Sequence, residues 1–494
     1  MRLWRAALCL GLLAFGAGCS TVTDYTRVTV DGQAALARFD FSRAESVYGE
    51  GVNDPLDGLC YQLEYGTTLH TAGEYVKSNT QFQRADATIE EFDRRAVVSA
   101  RDVAADAGTL LLNDKAAPYR GEPFERVYVH AFGAMNYLLL GDLSGARVEA
   151  RRAYNRQRME RTRCQEEFDA AARAARQRGV FDQKAVDAAL GPGGALPANR
   201  EVEVFQDAFS FYLASVVYEA LGEFNNAQVE IRNLLSFRSS SRMGQEQARR
   251  LEAKLTGKAA GGFMAAAKGG RPALPKDGEG EVVVFYACGL APVKREQKIR
   301  LPLNLGQGVT WNAVAFPTYE SRPNPVAEAF LRVNGRALGK TEILSDVETK
   351  ARDTLASRMP AMVFRALVRV AARLAAQQAI LSGGQRRGGP MTHEERRQEE
   401  AERLQRQLAA LFVGLAGDVV EQADLRSWLS LPMSFQVARG VARAGRPRLR
   451  LELLGPGGAL AGAVEEEIEV RSGRITVVVV RSIGLNAVMR WKAL

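Results

Sequence analysis

The sequence predicts an α+β chain: a helical first half built from repeated hairpins, then a β-sheet-rich second half carrying an inserted helical hairpin. Three observations predict this. One spacing of turn, acid, aromatic and small residue recurs four times before residue 256. A Gly/Ala/Pro/Lys-rich stretch, 257–280, then divides the chain. Beyond it, short apolar runs punctuated by Pro and Gly replace the helical period.

The hairpin pattern is clearest in Ala131–Tyr154. Phe132, Met135, Asn136, Leu139 and Leu140 form one stripe, Gly141-Asp142 breaks it, and Leu143, Ala146, Ala150, Ala153 and Tyr154 begin a second. The same offsets recur at Phe224, Ala227, Ile231 and Leu234 after Gly222, and at Tyr75, Ser78, Phe82 and Ala85 after Gly73. A shorter copy, Phe41, Ala44 and Tyr48, follows Phe39. A small residue where two helices cross lets their backbones approach, and the aromatic or leucine three residues earlier wedges the turn. Asp40, Glu74, Asp142 and Glu223 stand where a helix N-terminus favours an acid. Gly66, Ala134 and Ser215 supply the facing small residues, and Tyr137 and Tyr218 are expected to pack within their hairpins. Phe39 and Gly73 lie 34 residues apart, and Gly141 lies twice that distance further on. These residues and this period resemble the tetratricopeptide repeat. In that family the first helix of each pair lines a groove. The resemblance therefore implies a candidate partner-binding groove formed by Tyr128, Met135, Phe209, Tyr212, Val216 and Glu219.

At the N-terminus, Arg2 and Arg5 precede an apolar run from Ala6 to Phe15 and then small residues. That is the pattern of a secretory signal, too short for a spanning helix. Gly16-Ala17-Gly18-Cys19 resembles a bacterial lipoprotein cleavage box. The resemblance implies removal of residues 1–18, lipidation of Cys19, and a membrane attachment held by several acyl chains. Ser20, rather than an aspartate, after the cysteine implies the periplasmic face of the outer membrane. Residues 19–32 read as a tether and 33–256 as the helical domain. Cys60, Cys164 and Cys288 are odd in number and include no CxxC, so small buried thiols are expected.

Asn155–Ala198 reads as an insertion opening with an extended helix. Arg151, Arg152, Arg156, Arg158, Arg161 and Arg163 are expected on a solvated face, because no aromatics interleave with them for stacking on bases. The formal charge of +9 is modest and interspersed with acids, so no nucleic-acid partner is expected.

In the second half, 281–494, strands are expected at 281–289, 297–303, 309–316, 327–335, 433–439, 447–454, 464–471 and 474–482. Arg474–Ser482, RITVVVVRS, is apolar on both faces and should be a central strand. Helices occupy about 346–421: Thr349–Leu381, then a second opened by the Thr392/Glu395 capping box. Arg365, Arg369 and Arg373 on the first are expected to cover the rim of a packed face. Gly335–Thr341 lacks one residue of a phosphate loop and reads as strand–turn–strand. His70, His130 and His393 fit no ligand spacing and no GxSxG occurs, so no catalytic residue, metal or cofactor is assigned.

The stretches 119–142, 207–227 and 424–432 resemble a family of proteobacterial lipoproteins with a tetratricopeptide-like N-terminal half. That resemblance implies a non-enzymatic scaffold, anchored to the outer membrane through Cys19 and binding a periplasmic or outer-membrane protein or peptide in envelope or peptidoglycan-synthesis assembly. Two alternatives stand beside it: an envelope glycan-processing enzyme with its site in the β-rich domain, and a lipid-binding lipoprotein.

Overall fold

The repeated spacing has a repeated hydrogen bond beneath it. In the computed structural model, four helix pairs turn on the same backbone bond. They are α2 (Val30–Ala37) with α3 (Phe41–Glu50), α4 (Gly58–Ala72) with α5 (Tyr75–Ser99), α6 (Pro123–Leu140) with α7 (Leu143–Gln177), and α8 (Ala208–Ala220) with α9 (Phe224–Phe237). The N–H groups of Asp40, Glu74, Asp142 and Glu223 donate to carbonyls five residues earlier, at 2.8–2.9 Å. That bond requires a left-handed residue between its ends. Gly73, Gly141 and Gly222 supply it, and Phe39 adopts it at φ 58° without glycine's freedom. Asp40 and Asp142 then accept the N–H groups of Arg43 and Gly145. Glu223 makes no such cap and instead pairs with Arg147 at 2.8 Å. Ala44, Ser78, Ala146 and Ala227 are fully buried at the crossings, and Ser78 Oγ donates to the Gly66 carbonyl at 2.7 Å.

Described residues are 25–99, 115, 117–180, 184, 186–187, 204–256, 274–304, 309–382 and 422–494. Cys19 and its signal, most of the 257–280 stretch, and the expected second helix of the inserted hairpin lie outside them. The chain is α+β. The helical half opens with α1 (Tyr25–Val28) and closes with α10 (Arg242–Thr256).

Two sheets follow. The larger has the order β11 (Asn486–Ala493), β10 (Ile475–Ile483), β1 (Glu279–Cys288), β7 (Ser434–Arg443), β6 (Glu342–Asp346); only β1 and β10 run parallel. The smaller has the order β5 (Arg336–Lys340), β4 (Glu328–Val333), β8 (Arg448–Leu454), β9 (Leu460–Glu467). Alternation along β1 sends Val282, Val284, Tyr286 and Cys288 to the smaller sheet, and Val283, Phe285 and Ala287 to the helices. The molecule therefore has three layers: helices, five-stranded sheet, four-stranded sheet. A β-ribbon, β2 (Val293–Asn304) with β3 (Val309–Glu320), stands apart. It packs with the second half of α7 and with α11 (Val347–Ser382) in a satellite core including Phe168, Phe316, Phe364 and Leu367.

Several expectations hold. The 474–482 run is β10, covered on both faces and paired on both edges. Asn334 (φ 48°) and Gly335 (φ 78°) join β4 to β5 in a tight left-handed turn, the expected strand–turn–strand. One long helix does fill 347–382, and its Arg369 is buried. Cys60 and Cys288 are buried free thiols, while Cys164 is half-buried.

Others need correction. Helix begins at Tyr25, so the tether is shorter than 19–32. The start of the expected insertion is a continuation of α7, because no glycine or proline interrupts 143–177 after Gly145. Arg156 is buried on it rather than solvated, held 3.0 Å from both Asp86 and Asp93, whereas Arg151, Arg158 and Arg161 are exposed. β9 occupies 460–467 instead of 464–471, and β6 and β11 have no counterpart in the expected strands. These two are short or mixed in polarity, and neighbouring strands rather than their own pattern define them. Among the described residues no helix is long and apolar enough to cross a membrane.

Ala146→Leu or Ala227→Leu should overpack a helix crossing and cost about 1–3 kcal/mol in chemical denaturation. Arg158→Leu loses only an exposed contact, its guanidinium lying 6.0 Å from the Tyr154 ring, and should cost about 0.5 kcal/mol. Equal losses at the three positions would show the crossing register to be misassigned.

Candidate functional site: the sheet-covered face of the helices

The first helices of the pairs, α4, α6 and α8, turn their apolar stripes to the same side, and the six groove residues lie there as expected. None of the six is open. Tyr128, Met135, Phe209, Tyr212, Val216 and Glu219 are all buried, at most 4% exposed. The expectation that they face a partner is corrected by what covers them, the five-stranded sheet. Phe435 on β7 stacks on Phe209 with ring centres 4.6 Å apart and on Tyr128 at 4.9 Å. Phe285 on β1 meets Phe209 edge-on at 5.7 Å. Tyr128 donates its hydroxyl hydrogen to Asp207 at 2.8 Å and shares a 2.5 Å hydrogen bond with Ser345 of β6. Tyr137 packs within its hairpin, where a Cβ on Gly145 would meet its ring, and Tyr218 is buried.

Glu219 belongs to a buried ionic cluster. Arg439 of β7 bonds both its oxygens, at 2.7 and 2.9 Å, and also Glu281 of β1 at 2.7 Å. Lys254 reaches Glu219 at 2.6 Å and Glu281 at 3.1 Å, and Arg250 reaches Glu281 at 2.7 Å. Burial opposes ionisation of Glu219, but the Arg439 and Lys254 charges outweigh it and hold its carboxyl well below the usual range. Burial likewise pushes the Tyr212 hydroxyl up to about 12.

Asp424–Pro432 enters the same face as an irregular segment that turns over Trp428–Leu431. Trp428 is fully buried, its ring 5.4 Å from Phe132 and 5.8 Å from Phe82. Its indole N–H donates to Thr67 at 2.9 Å, and its backbone N–H to Glu125 at 2.7 Å. Glu64 accepts the next two amides, from Leu429 at 2.5 Å and Ser430 at 3.0 Å, together with the Tyr25 hydroxyl at 2.9 Å. Arg322 donates to the Leu429 carbonyl, and Arg481 to that of Ser430 at 3.1 Å. Backbone amides that would elsewhere pair in a ladder are thus read by carboxylates on α4 and α6. Burial raises the Glu64 carboxyl, and burial with the Glu122 charge pushes Glu125 up to about 7. These acids were not assigned from sequence. A lone glutamate in the otherwise uncharged helix α4, and the Glu122/Glu125 capping box opening α6, were the available signals.

On the opposite side of α6, His130 sits between two carboxylates, Glu149 at 2.8 Å and Asp86 at 3.4 Å. Arg156 and Arg152 back these acids at 3.0 and 3.1 Å. A crevice of about 10 Å³, room for one water molecule, opens here beside Asn79, Tyr137 and Arg152. Among the described residues no three His, Cys, Asp or Glu side chains form a metal-binding group.

No protein-family model and no curated protein matches the chain. A solved structure, the TPR2AB domain of yeast Sti1 in complex with pHSP90, aligns over 47% of this chain and 83% of its own, at 12% identity and a TM-score of 0.18. A likeness at that score carries no fold assignment.

Trp428→Ala should cost about 3–5 kcal/mol in denaturant unfolding, since the ring leaves a cavity between α4, α5 and α6. Glu64→Leu, which strips the Leu429 and Ser430 amides of their acceptor, should also destabilise strongly, and Glu64→Gln less. A neutral Trp428→Ala would show the stretch to be loosely held.

The pH dependence has a stated sign. Burial opposes the His130 charge, but bonding to Asp86 and Glu149 raises its pKa above the ordinary value. Its contribution is therefore complete below the unfolded value of about 6.5 and is lost as pH rises through the raised folded value. The unfolding free energy measured from pH 6 to 9 should fall more steeply for wild type than for His130→Gln. Parallel profiles would remove His130 from the account.

Proposed function

We propose that this chain is a lipid-anchored, non-enzymatic scaffold of the bacterial cell envelope, with a tetratricopeptide-like array as its helical half. The observation that carries the reading is the sheet-covered face. A repeat array whose groove is filled by its own sheet and its own Trp428 segment presents its outer helices rather than its groove. The partner of this reading is a periplasmic or outer-membrane protein, and its site moves from the six groove residues to the second helices. Val148 on α7 and Val229 on α9 occupy equivalent positions, seven residues after Gly141 and Gly222, and are 48% and 50% exposed. Met159, 53% exposed, extends that face along α7 between the exposed arginines Arg158 and Arg161. Large apolar side chains framed by arginine suit protein recognition.

Cys19→Ala should abolish palmitate labelling and release the protein from the outer-membrane fraction. A photocrosslinking residue at Val148 or Met159 in the anchored protein should trap a discrete partner, and one at Tyr128 should trap none. Trapping from Tyr128 alone would return the partner to the sheet-covered face. Turnover of purified peptidoglycan would favour an envelope glycan-processing enzyme instead.

A further inference from the structure

Tyr25, the first described residue, is already locked into the body. It is 2% exposed, its ring meets Tyr61 edge-on at 5.3 Å, and its hydroxyl bonds Glu64, the carboxylate that holds the Leu429 and Ser430 amides. Thr29, one turn on, is fully buried and donates its hydroxyl hydrogen back to the Tyr25 carbonyl at 2.8 Å. Tyr25 lies six residues beyond Cys19. Six residues span at most about 20 Å even when fully extended. The 35 residues of α7 alone make a rod of about 50 Å. An acylated Cys19 therefore brings one end of the molecule to the bilayer, the end where α1 and α2 begin.

That end carries an unusual pair of side chains. Val28 and Val30, on either side of buried Thr29, are 44% and 56% exposed. Arg27 beside them is exposed, and the one acid among the described residues of α1 and α2, Asp31, is exposed and paired with Arg43 at 3.3 Å. Short apolar side chains flanked by arginine can enter the headgroup region while the cation stays at the phosphates. We propose that Arg27, Val28 and Val30 form a second, protein-based contact with the phospholipid surface, which fixes the orientation of the body on the membrane. The inference rests on the lipid anchor of the proposed function and adds which face meets the bilayer. The satellite core of α7, α11 and the β2–β3 ribbon has no such leash to the anchor.

The test uses the full-length lipoprotein in vesicles of phosphatidylethanolamine and phosphatidylglycerol doped with a photoactivatable phospholipid, with adducts mapped by mass spectrometry. Adducts on 27–30 are expected, with severalfold fewer in Val30→Asp, an exposed change that leaves the acyl anchor in place. Vesicle-bound protein labelled equally at Val229 and Val30, or not labelled at 27–30, would overturn the contact while leaving the anchor standing. Failure of the wild-type protein to float with vesicles, or Cys19→Ala floating as well as wild type, would instead remove the anchor, and this contact with it.

Discussion

The helical hairpins share one apolar face, and the rest of this structure depends on how that face is kept from water. Here the five-stranded sheet covers it. Phe435 is the contact point, placed against Tyr128, Phe132 and Phe209 from two successive first helices. Once one face of the sheet is committed to the helices, its other face needs a cover too, and the four-stranded sheet supplies it. Double coverage is why β1 and β10 read as nearly continuous apolar runs. It is also why the helical and β-rich halves share one core rather than two.

Closing such an interface draws polar groups inside, and each must find a partner. Glu219 and Glu281 meet Arg439, Arg250 and Lys254, so an arginine from the sheet is bracketed by acids from a helix and a neighbouring strand. Such clusters add little net stability over apolar residues of equal size, because desolvation offsets the attraction. Their directional bonds admit few placements of the sheet, and losing one member leaves a buried charge. Glu64 acts similarly on the irregular Asp424–Pro432 segment, accepting the Leu429 and Ser430 amides.

The outward face of the smaller sheet is a different kind of surface. Arg332 pairs with Glu452 at 3.0 Å, Arg450 with Glu465 at 3.1 Å, and Lys340 with Glu328 at 3.0 Å. Cross-strand pairs of this kind satisfy one another and suit contact with water. Exposed apolar side chains also occur on α7, on α9 and at the entry of α1, beside others such as Val76, Leu460 and Leu485, and the proposed partner and membrane contacts use the first three places.

The hairpins were legible in the sequence because their causes are local. A left-handed residue, an acid one position on, and a small residue at the crossing all act within a dozen residues. The β4–β5 turn at Asn334-Gly335 and the doubly buried β10 were legible for the same reason. That Tyr128, Met135, Phe209, Tyr212, Val216 and Glu219 share one side of the array was implied by the repeat resemblance, while helical periodicity by itself fixes only which side chains lie together on one helix. Periodicity does not say what lies opposite. That Phe435 fills the groove, that Arg439 answers Glu219, and that Glu64 holds the amides of residues 429 and 430 were decided by contacts between residues 220 to 366 positions apart. No local pattern encodes such pairs, because their energies exist only once the layers have met.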